Sequence, residues 1–512
     1  SAASDVYKRQ CYNYTIIIKL GRDIKMKKYE HAFGKNDIRG IYGEDITEEL
    51  YYNTGRGFVD WLKKQSGIKE SDMWITITID ARTHSPGLEK ALSEGIISTG
   101  ANVVKLGLAP TPIGYYSEVV GLPKNITDGK NVIAAAIITA SHNPKEYNGL
   151  KMTYAKRTLS ENQIAEVKEH TFKEMKFPKE PSIPQGQIKE YNIIPDYIKE
   201  MKEKFGRIGE GIKVVVDSAN ATGGVVGPQL YKELGCEVIE LFSEPDGNFP
   251  NHHPNPSVEK TLDILKEVVV ENKADIGIAY DGDSDRIGIV DENGKFLTGD
   301  KLLLIYATDL IEDCKKTGSC PTVVSEVKCS QVLYDTINKL GGQAVMCKTG
   351  HGYIKDKMKE TNALLAGEMS GHTFFKDRYY GFDDAIYAGC RIIEIIANHK
   401  KVNPDFKISD MLKPFDEVCS SEEVRFPCPN ELKKSTLDKV KQCIEQDKNL
   451  FGSEIKEIIT LDGMRIVFDG GFALIRQSNT EPVFTLRFEA KNKEECSRFK
   501  SCMINTLESI LK

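Results

Sequence analysis

The sequence predicts a multidomain α/β protein whose last part changes to an α+β arrangement. Short apolar runs alternate with longer amphipathic segments through most of the 512 residues, which is the pattern of parallel strands connected by helices. At roughly 100–200 residues per domain, a chain of this length is expected to form three to five domains. Towards the C-terminus the alternation ends, and closely spaced strands precede a single final helix.

The predicted strands end in polar loops that contain the residues of chemical interest. In parallel sheets, ligands gather at the carboxyl ends of the strands, so these loops are the expected positions of a functional site. Between the first two strands, a helix that begins at Ser85 is expected to end near Gly100. In chain order, the predicted strands are 74–80 (WITITID), 131–141 (NVIAAAIITAS), 212–217 (IKVVVD), 274–280 (ADIGIAY), 322–327 (TVVSEV), 362–367 (NALLAG) and two stretches of the tail, 458–478 and 483–490.

Polar stretches mark three candidate domain boundaries, at residues 176–195, 294–299 and 413–429. Residues 1–25 lack helical or strand periodicity and the apolar core of a signal peptide. We interpret them as translated upstream sequence or an assembly artefact and exclude them from the fold. The predicted domains are residues 26–185, 186–297, 298–413 and 414–512.

Composition limits the classes of partner. The formal net charge is −6 and no long basic run occurs, so the sequence gives no indication of nucleic-acid binding. The longest apolar runs, such as residues 132–139, are too short to span a bilayer, so no membrane partner is expected. The 12 cysteines are scattered and form no C-x-x-C pair, which favours reduced thiols and a cytoplasmic location.

The first candidate site is the serine loop, residues 139–144 (TASHNP), at the end of an apolar strand. A loop at this position presents the hydroxyl of Ser141, but serine is a weak nucleophile unless it is activated or already modified. Taken alone, the segment is more readily explained as a Ser/Asn loop that caps the following helix. The serine loop therefore needs support from other motifs.

The second candidate is the acidic loop, residues 281–286 (DGDSDR). Its three carboxylates alternate with small residues, so they can converge on one point, and hard oxygen ligands at this density suit Mg²⁺. The loop is not an EF-hand, because it lacks the glycine at the sixth position and the glutamate at the twelfth. A solvated acidic turn is the alternative, which the preceding strand and the following Arg286 make less favourable.

Two further loops have the composition of a sugar-phosphate site. In the glutamate loop, residues 367–372 (GEMSGH), Glu368 and Ser370 can hydrogen-bond neighbouring sugar hydroxyls. In the arginine loop, residues 476–482 (RQSNTEP), Arg476 with two hydroxyls and backbone N–H groups can bind a phosphate. A glycine-rich turn and an ordinary hairpin turn explain the two loops equally well when each is taken alone.

Together these motifs resemble the α-D-phosphohexomutase family, and most closely its bacterial phosphomannomutase/phosphoglucomutase branch. The resemblance covers the chain from about residue 33 to the C-terminus, with the four loops in the family's order and one loop in each domain. It implies four domains around a central cleft, with three mixed α/β domains followed by a smaller α+β C-terminal domain. It also gives roles to lesser signals that, alone, would be surface charges or core histidines: Asp37-Ile38-Arg39-Gly40, Lys151, Lys328-Cys329-Ser330 and Thr349-Gly350-His351.

The resemblance implies a set of site residues. Catalytic roles are expected for Ser141, as a phosphoserine, and for Lys151, Arg39, Arg286, His351 and His372. Mg²⁺ is expected to bind Asp281, Asp283, Asp285 and the phosphate on Ser141. Substrate binding is expected for Lys328, for Glu368 and Ser370 at the sugar hydroxyls, for Arg476, Ser478, Asn479 and Thr480 at the non-reacting phosphate, and for Arg487.

The implied function is the interconversion of hexose 1-phosphate and hexose 6-phosphate through a phosphoserine and a hexose 1,6-bisphosphate intermediate, in a monomer. Lys151 or a histidine would act as general acid or base. Met369 favours mannose or glucose as the sugar, whereas Asn36 stands where the family usually has an aromatic residue, which leaves the preference between sugars open. The alternatives are a phosphoglucosamine or phosphopentose mutase, a phosphatase, and a non-catalytic sugar-phosphate sensor.

Overall fold

The structure, a computed structural model, describes residues 26–478 and 481–512. These residues form two compact units. The first unit contains residues 26–211, 215–265 and 279–285, and the second contains residues 212–214, 266–278 and the described residues from 286 onwards. The excluded segment 1–25 lies outside the described residues, as do the predicted site residues Asn479 and Thr480.

The first unit begins with a seven-stranded sheet. Its strands and helices are β1 (Ile38–Ile41), α1 (Glu48–Ser66), β2 (Trp74–Ile79), α2 (Ser85–Ile97), β3 (Asn102–Leu108), α3 (Thr111–Val120), β4 (Val132–Ile138), β5 (Tyr147–Tyr154), β6 (Arg157–Thr158), α4 (Glu161–Lys176) and β7 (Ile188–Glu190). The strand order is β1-β5-β4-β2-β3-β7, with β6 paired to β5. Strand β2 is parallel to β3 and β4, whereas β5 is antiparallel to β1 and β4. The strands predicted at 74–80 and 131–141 are therefore parallel neighbours, and their carboxyl ends share one edge.

Side-chain caps explain where the first helices begin and end. Helix α1 starts after Thr47, whose hydroxyl accepts a hydrogen bond from the N–H of Leu50, and it ends at Gly67 with φ +70°. Helix α4 starts with a capping box between Ser160 and Gln163. The apolar faces of both helices pack with buried residues of β2 and β4 in one core. This core supports the edge at which β2 and β4 end.

A second sheet contains five strands. Its elements are α5 (Ile194–Phe205), β8 (Lys213–Asp217), α6 (Gly227–Glu233), β9 (Glu237–Leu241), α7 (Asp263–Glu271), β10 (Ile276–Tyr280), β11 (Ile287–Asp291) and β12 (Phe296–Leu297). The strand order is β12-β11-β10-β8-β9, and β12 is antiparallel to β11. The acidic loop connects β10, which confirms the strand predicted at 274–280, to β11.

A third sheet, of four strands, lies in the second unit. Its elements are α8 (Gly299–Lys316), β13 (Thr322–Glu326), α9 (Gln331–Lys339), β14 (Gln343–Cys347), α10 (His351–Thr361), β15 (Leu365–Gly367), β16 (Thr373–Phe375) and α11 (Ala385–Val402). The order is β14-β13-β15-β16, in which β13 is parallel to β14 and β15. The glutamate loop joins β15 to the antiparallel β16.

The fourth sheet has the α+β pattern predicted for the tail. Its elements are β17 (Cys419–Ser420), β18 (Val424–Pro427), α12 (Asn430–Gln446), β19 (Glu457–Ile459), β20 (Met464–Phe468), β21 (Gly471–Gln477), β22 (Val483–Ala490) and α13 (Lys493–Leu511). The order is β17-β22-β21-β20-β19, with β18 paired to β22, and all pairs are antiparallel. Helices α12 and α13 share a core with the sheet. The arginine loop is the turn between β21 and β22.

Three short strands lie in stretches that the sequence marks only as boundaries. The stretch 176–195 contains β7, which pairs parallel with β3. The stretch 413–429 contains β17 and β18, which pair with β22. These strands have only two to four residues and no fully buried side chain, although Val424 and Phe426 of β18 pack against the core of the fourth sheet. Such runs are too short for a pattern of alternating apolar residues to reveal them.

The longest described helices are those of a layered α/β protein. Helices α1 and α13 have 19 residues each, and both place charged residues in their first turn. Among the described helices, none combines the length and the apolar character needed to cross a bilayer.

Candidate active site

The serine loop begins where β4 ends and holds Ser141 in an unusual backbone conformation. The φ angle of Ser141 is +50°, in the left-handed region that non-glycine residues rarely occupy. The hydroxyl of Thr139 stabilises this turn by accepting a hydrogen bond of 2.8 Å from the N–H of Ser141. Strain of this kind is found mostly where function requires a particular side-chain direction. Ser141 itself is buried.

Arg82, which no sequence motif marked, holds the serine loop through hydrogen bonds to its backbone. Its guanidinium donates hydrogen bonds to the backbone carbonyls of Ser141 (2.9 Å) and Asn143 (2.7 Å), and also to those of Pro144 and Tyr147. Its Nε pairs with the carboxylate of Asp80 at 3.0 Å. Arg82 is almost completely buried, and this one side chain fixes the backbone from Ser141 to Tyr147.

Replacing Arg82 by lysine should lower activity by about tenfold to a hundredfold, because a small displacement of a reacting group is this costly. Lysine retains the charge that pairs with Asp80 but cannot donate to four carbonyls in one plane. The measurement is kcat and Tm, with the exposed Arg157→Lys as the control. Unchanged kcat in Arg82→Lys would contradict this role.

The acidic loop lies directly against the serine loop within the first unit. The hydroxyl of Ser141 donates a hydrogen bond of 2.6 Å to Oδ2 of Asp281. A Cβ atom at Gly282 would lie 2.2 Å from the carbonyl oxygen of Ser141, so only glycine permits this approach. The carboxylates of Asp281, Asp283 and Asp285 are buried, and one oxygen of each lies within 4.8 Å of the others. The sequence prediction that these three carboxylates converge is confirmed.

Lys151, on β5, neutralises part of this negative charge. Its Nζ lies 2.6 Å from Oδ2 of Asp283 and 2.6 Å from Oδ2 of Asp285. Burial lowers the pKa of Lys151, but the two carboxylates outweigh burial and raise the pKa well above its ordinary value. Burial likewise raises the pKa of Asp283, yet Lys151 holds it below the ordinary value. In this arrangement Lys151 is an ammonium group that keeps its proton and donates hydrogen bonds to both aspartates.

The donor set of the acidic loop fits a hard divalent cation. Oδ1 of Asp283 is buried, and no hydrogen-bond donor among the described residues reaches it. Three buried carboxylates together exceed the charge of one ammonium, and oxygen ligands of this kind suit Mg²⁺. The residues present are therefore able to hold a metal ion beside Ser141.

Arg39 contacts the same loop from β1. Its Nη1 donates to the carbonyl of Ala140 (3.2 Å) and to Oδ1 of Asn143 (2.9 Å), and its Nη2 pairs with Asp37. The first unit thus brings together Arg39, Ser141, Lys151 and the three aspartates.

In the second unit, the glutamate loop is bonded to the turn that precedes α10. Oε1 of Glu368 accepts a hydrogen bond of 2.7 Å from the N–H of Gly350. Burial and the charge of Glu326 raise the pKa of Glu368 above its ordinary value. Glu326, another residue that the sequence analysis missed, accepts hydrogen bonds from the N–H of Met369 (2.9 Å) and from the hydroxyl of Thr349.

Lys328 lies near the carboxylate of Glu326 and near a further carboxylate, that of Glu423. Its Nζ is 3.6 Å from Glu326 and 3.6 Å from Glu423. Burial lowers the pKa of Lys328, but these two carboxylates raise it above its ordinary value. Ser370 is half-buried in the glutamate loop. Lys328 is therefore a cation placed close to the predicted sugar-binding residues.

The predicted residues Arg286, His351 and His372 also come together in this unit. Nε of Arg286 donates a hydrogen bond of 3.0 Å to Nε2 of His372, and Nδ1 of His372 lies 3.2 Å from the carboxylate of Asp383. Since Nε2 accepts, the neutral ring carries its proton on Nδ1. The rings of His351 and His372 are 5.8 Å apart. His372 is thus positioned to orient Arg286.

The arginine loop is held by residues outside it. Nε of Arg476 donates a hydrogen bond of 2.9 Å to Asp462, and Nζ of the buried Lys433 donates to the carbonyls of Ser478 (2.8 Å) and Glu481 (2.6 Å). Arg487, on β22, pairs with Asp300 at 3.2 Å and donates a hydrogen bond to the carbonyl of Lys328.

The supporting residues differ in how far the sequence could have revealed them. Arg82 and Glu326 lie at the carboxyl ends of strands β2 and β13, which is a usable signal for a functional position. Lys433 and Asp462 lie in a helix and in a turn of polar residues, and no local pattern distinguishes them.

Family models match all four domains. They are described as phosphoglucomutase/phosphomannomutase alpha/beta/alpha domain I (residues 30–177), domain II (195–294), domain III (298–414) and C-terminal domain (423–505). Three α/β domains and an α+β domain with these loops define the α-D-phosphohexomutase class. The chain belongs to the phosphoglucomutase/phosphomannomutase family.

Individual relatives agree with this assignment. A phosphomannomutase/phosphoglucomutase of Pseudomonas aeruginosa is 36% identical over 479 residues, which cover 93% of this chain and 96% of the relative. A phosphoglucomutase of Neisseria gonorrhoeae is 36% identical over 477 residues, which cover 93% and 96%. A crystal structure of a phosphoglucomutase/phosphomannomutase family protein from Burkholderia thailandensis superposes with a TM-score of 0.82 at 32% identity and covers 94% of this chain and 97% of its own.

Proposed function

We propose that the protein is a phosphohexomutase that interconverts the 1-phosphate and 6-phosphate of mannose, glucose or both. The reaction proceeds through a phosphoserine at Ser141 and a hexose 1,6-bisphosphate. The observation that carries the proposal is the hydroxyl of Ser141, which lies buried 2.6 Å from Asp281, next to two further buried aspartates. This is the environment that a transferable phosphoryl group and its metal ion require.

In the first unit, Asp281, Asp283 and Asp285 hold Mg²⁺. The metal ion supplies charge that neutralises the phosphoryl oxygens during transfer. Arg82 and Arg39 fix the loop that presents Ser141, and Lys151 adds a stable positive charge. Transfer of a phosphoryl group depends mainly on such positioning and charge.

The reaction consists of two transfers. A free hydroxyl of the sugar monophosphate attacks the phosphorus of phosphoserine, the bond from phosphorus to the serine oxygen breaks, and the hydroxyl proton passes to a basic group. The basic group returns this proton to the serine oxygen, which becomes a hydroxyl again. After the sugar has turned, the serine hydroxyl attacks the phosphorus of the other phosphate, the bond from that phosphorus to the sugar oxygen breaks, and the serine proton passes through the basic group to the sugar oxygen. The isomeric monophosphate leaves and Ser141 is phosphorylated once more, so the phosphate count is unchanged.

The second unit supplies substrate recognition. Glu368 and Ser370 bind sugar hydroxyls, Lys328 assists them, and Arg476 binds the non-reacting phosphate. Ser478 and Arg487 contribute to phosphate binding, as do Asn479 and Thr480 outside the described residues. His372 orients Arg286, and His351 lies beside it. Because the sugar binds in two orientations, the phosphate-binding groups must accept either phosphate of the sugar.

We further propose a monomeric enzyme of the cytoplasm, with domains at residues 26–185, 186–297, 298–413 and 414–512. The scattered cysteines support the cytoplasmic location. The family models, which match one after another along the chain, support the division into domains. A phosphoglucosamine mutase is the second candidate, since it would use the same serine and metal ion. A sensor would need neither.

The purified protein should convert mannose 1-phosphate or glucose 1-phosphate to the 6-phosphate faster than glucosamine 1-phosphate. Coupled assays with the three sugars, with and without a metal chelator, measure this. Intact-mass spectrometry should show a species heavier by one phosphoryl group. Release of free phosphate without isomer would indicate a phosphatase, and preference for glucosamine would indicate the second candidate.

A further inference from the structure

Asp462 lies in the turn between β19 and β20 and bonds to two different loops through one oxygen. Its Oδ2 accepts a hydrogen bond of 2.9 Å from Nε of Arg476 and another of 3.1 Å from the backbone N–H of Thr349. The side chain of Asp462 is 20% exposed and that of Arg476 is 9% exposed, so both bonds are partly buried. One carboxylate therefore links the fourth sheet to the third.

The turn that Asp462 reaches is also the turn that holds Glu368. Thr349 donates its hydroxyl to Glu326, and the next residue, Gly350, donates its N–H to Glu368 at 2.7 Å. Gly350 has φ +128°, which disfavours any other residue. Arg476 is thus connected to Glu368 in three steps. Asp462 bonds to Arg476 and to Thr349, and the next residue, Gly350, bonds to Glu368.

The negative charge of Asp462 allows two possible effects on phosphate binding to be distinguished. A carboxylate beside an arginine lowers the attraction of that arginine for an anion, because it neutralises part of the positive charge. If charge alone mattered, removal of Asp462 would strengthen binding of phosphate. A carboxylate that fixes the plane of the guanidinium has the opposite consequence, since an arginine that is free to rotate loses entropy when it binds.

We propose that Asp462 is a positioning residue that aligns Arg476 for the non-reacting phosphate and couples it to the sugar-binding loop through Thr349. This inference rests on the proposed function, in which Arg476 binds phosphate and Glu368 binds sugar hydroxyls. Asp462 does not contact the reacting atoms and acts through Arg476.

The test compares Asp462→Ala and Asp462→Asn with the parent enzyme. We expect Asp462→Ala to raise the Kd for inorganic phosphate, measured by calorimetry, and the KM for glucose 1-phosphate by about tenfold, with a smaller change in kcat. Asp462→Asn keeps an acceptor oxygen and should recover part of the loss. In the double variant with Arg476→Ala, loss of Asp462 should add little to the loss from Arg476→Ala alone.

Asp469→Ala is the matched control. Asp469 lies in the next turn of the same sheet, is 78% exposed and pairs with Lys491. It should leave the Kd, KM and kcat unchanged. Tighter phosphate binding in either Asp462 variant, unchanged KM in Asp462→Ala, or additive losses in the double variant would overturn the proposal. If Asp462→Ala does not fold, Asp462→Asn decides, because unchanged or tighter phosphate binding in that variant has the same meaning.

The measurements of phosphate binding and of isomerase activity separate this inference from the proposed function. If the parent enzyme binds phosphate and shows the non-additive loss but isomerises no hexose phosphate, Asp462 positions Arg476 and the proposed function is wrong. If the parent enzyme is an active mutase and Asp462→Ala behaves like Asp469→Ala, the proposed function stands and this inference fails. A parent enzyme that binds no inorganic phosphate also overturns the inference.

Discussion

Replacing Ser141 by alanine should lower kcat on the order of 10⁴-fold or more, because the variant lacks the oxygen that carries the phosphoryl group. Both transfers of the reaction use that oxygen. The surrounding charges can still bind substrate, so KM should change much less than kcat. Coupled assays with a hexose 1-phosphate measure the loss, and intact-mass spectrometry should no longer detect the phosphorylated species.

The fold should survive this substitution for a structural reason. Serine and alanine both carry a Cβ atom, so the cost of the left-handed backbone at residue 141, where φ is +50°, is similar in both. The loop is held by Arg82, which bonds backbone carbonyls and not the serine hydroxyl. Among the residues that the structure describes, the substitution removes the bonds of the hydroxyl to Asp281 and to the ring of His142.

Ser160→Ala provides the matched control. Ser160 caps helix α4, is exposed and is not among the proposed site residues, so loss of its hydroxyl should lower stability by about 1 kcal/mol without lowering kcat. The two serines therefore separate chemistry from stability. Near-normal turnover by Ser141→Ala would show that the enzyme does not use a phosphoserine at this position.

The loops of the candidate site were predictable because each of them ends a strand with a clear apolar pattern. The strand before Ser141 is buried along almost its whole length, and so is the strand before Asp281. Where such a run meets serine, aspartate or glycine, the chain must leave the sheet and expose polar groups at its edge. The convergence of the three aspartates also follows locally, since they alternate over five residues.

The partners of the supporting residues were not predictable because they lie far away in the sequence, even where a strand end marked the position itself, as for Arg82. Arg82 bonds to the carbonyl of Ser141, 59 residues later, and Thr349 bonds to Asp462, 113 residues later. Lys433 reads as one charge among many in α12, yet it is buried by the turn that it supports. A buried cation is recognisable only when the carbonyls that it satisfies are placed around it.

Replacing Asp283 by asparagine should weaken metal binding and, with it, activity. Asp283 contributes one of three carboxylates, and its Oδ1 is the buried oxygen that no donor among the described residues reaches. Asparagine offers a neutral oxygen of the same shape, so the change removes charge without removing bulk. Because affinity for a hard cation depends on the number of charged ligands, we expect the Mg²⁺ concentration for half-maximal activity to rise on the order of 10²-fold.

The same substitution should change the pH dependence of stability when a chelator is present. The pKa of Asp283 in the folded protein is held below its ordinary value by Lys151, so the ionised carboxylate stabilises the fold at pH values above the pKa of the unfolded chain. Asp283→Asn should therefore be less stable than the parent at pH 7. The difference should shrink as the pH falls below about 4, where the unfolded chain takes up the proton and the parent progressively loses this advantage.

Asp128→Asn is the control for both effects. Asp128 is exposed and, among the described residues, forms an ion pair with Lys189. It should alter neither the Mg²⁺ requirement nor the acid dependence. Titration of Mg²⁺ in the coupled assay and urea unfolding between pH 3 and 7 measure the two effects. An unchanged Mg²⁺ requirement in Asp283→Asn would remove Asp283 from the metal site, whereas an unchanged pH dependence would mean that Lys151 does not stabilise the ionised carboxylate. The two results are independent because the first depends on the metal ion and the second is measured without it.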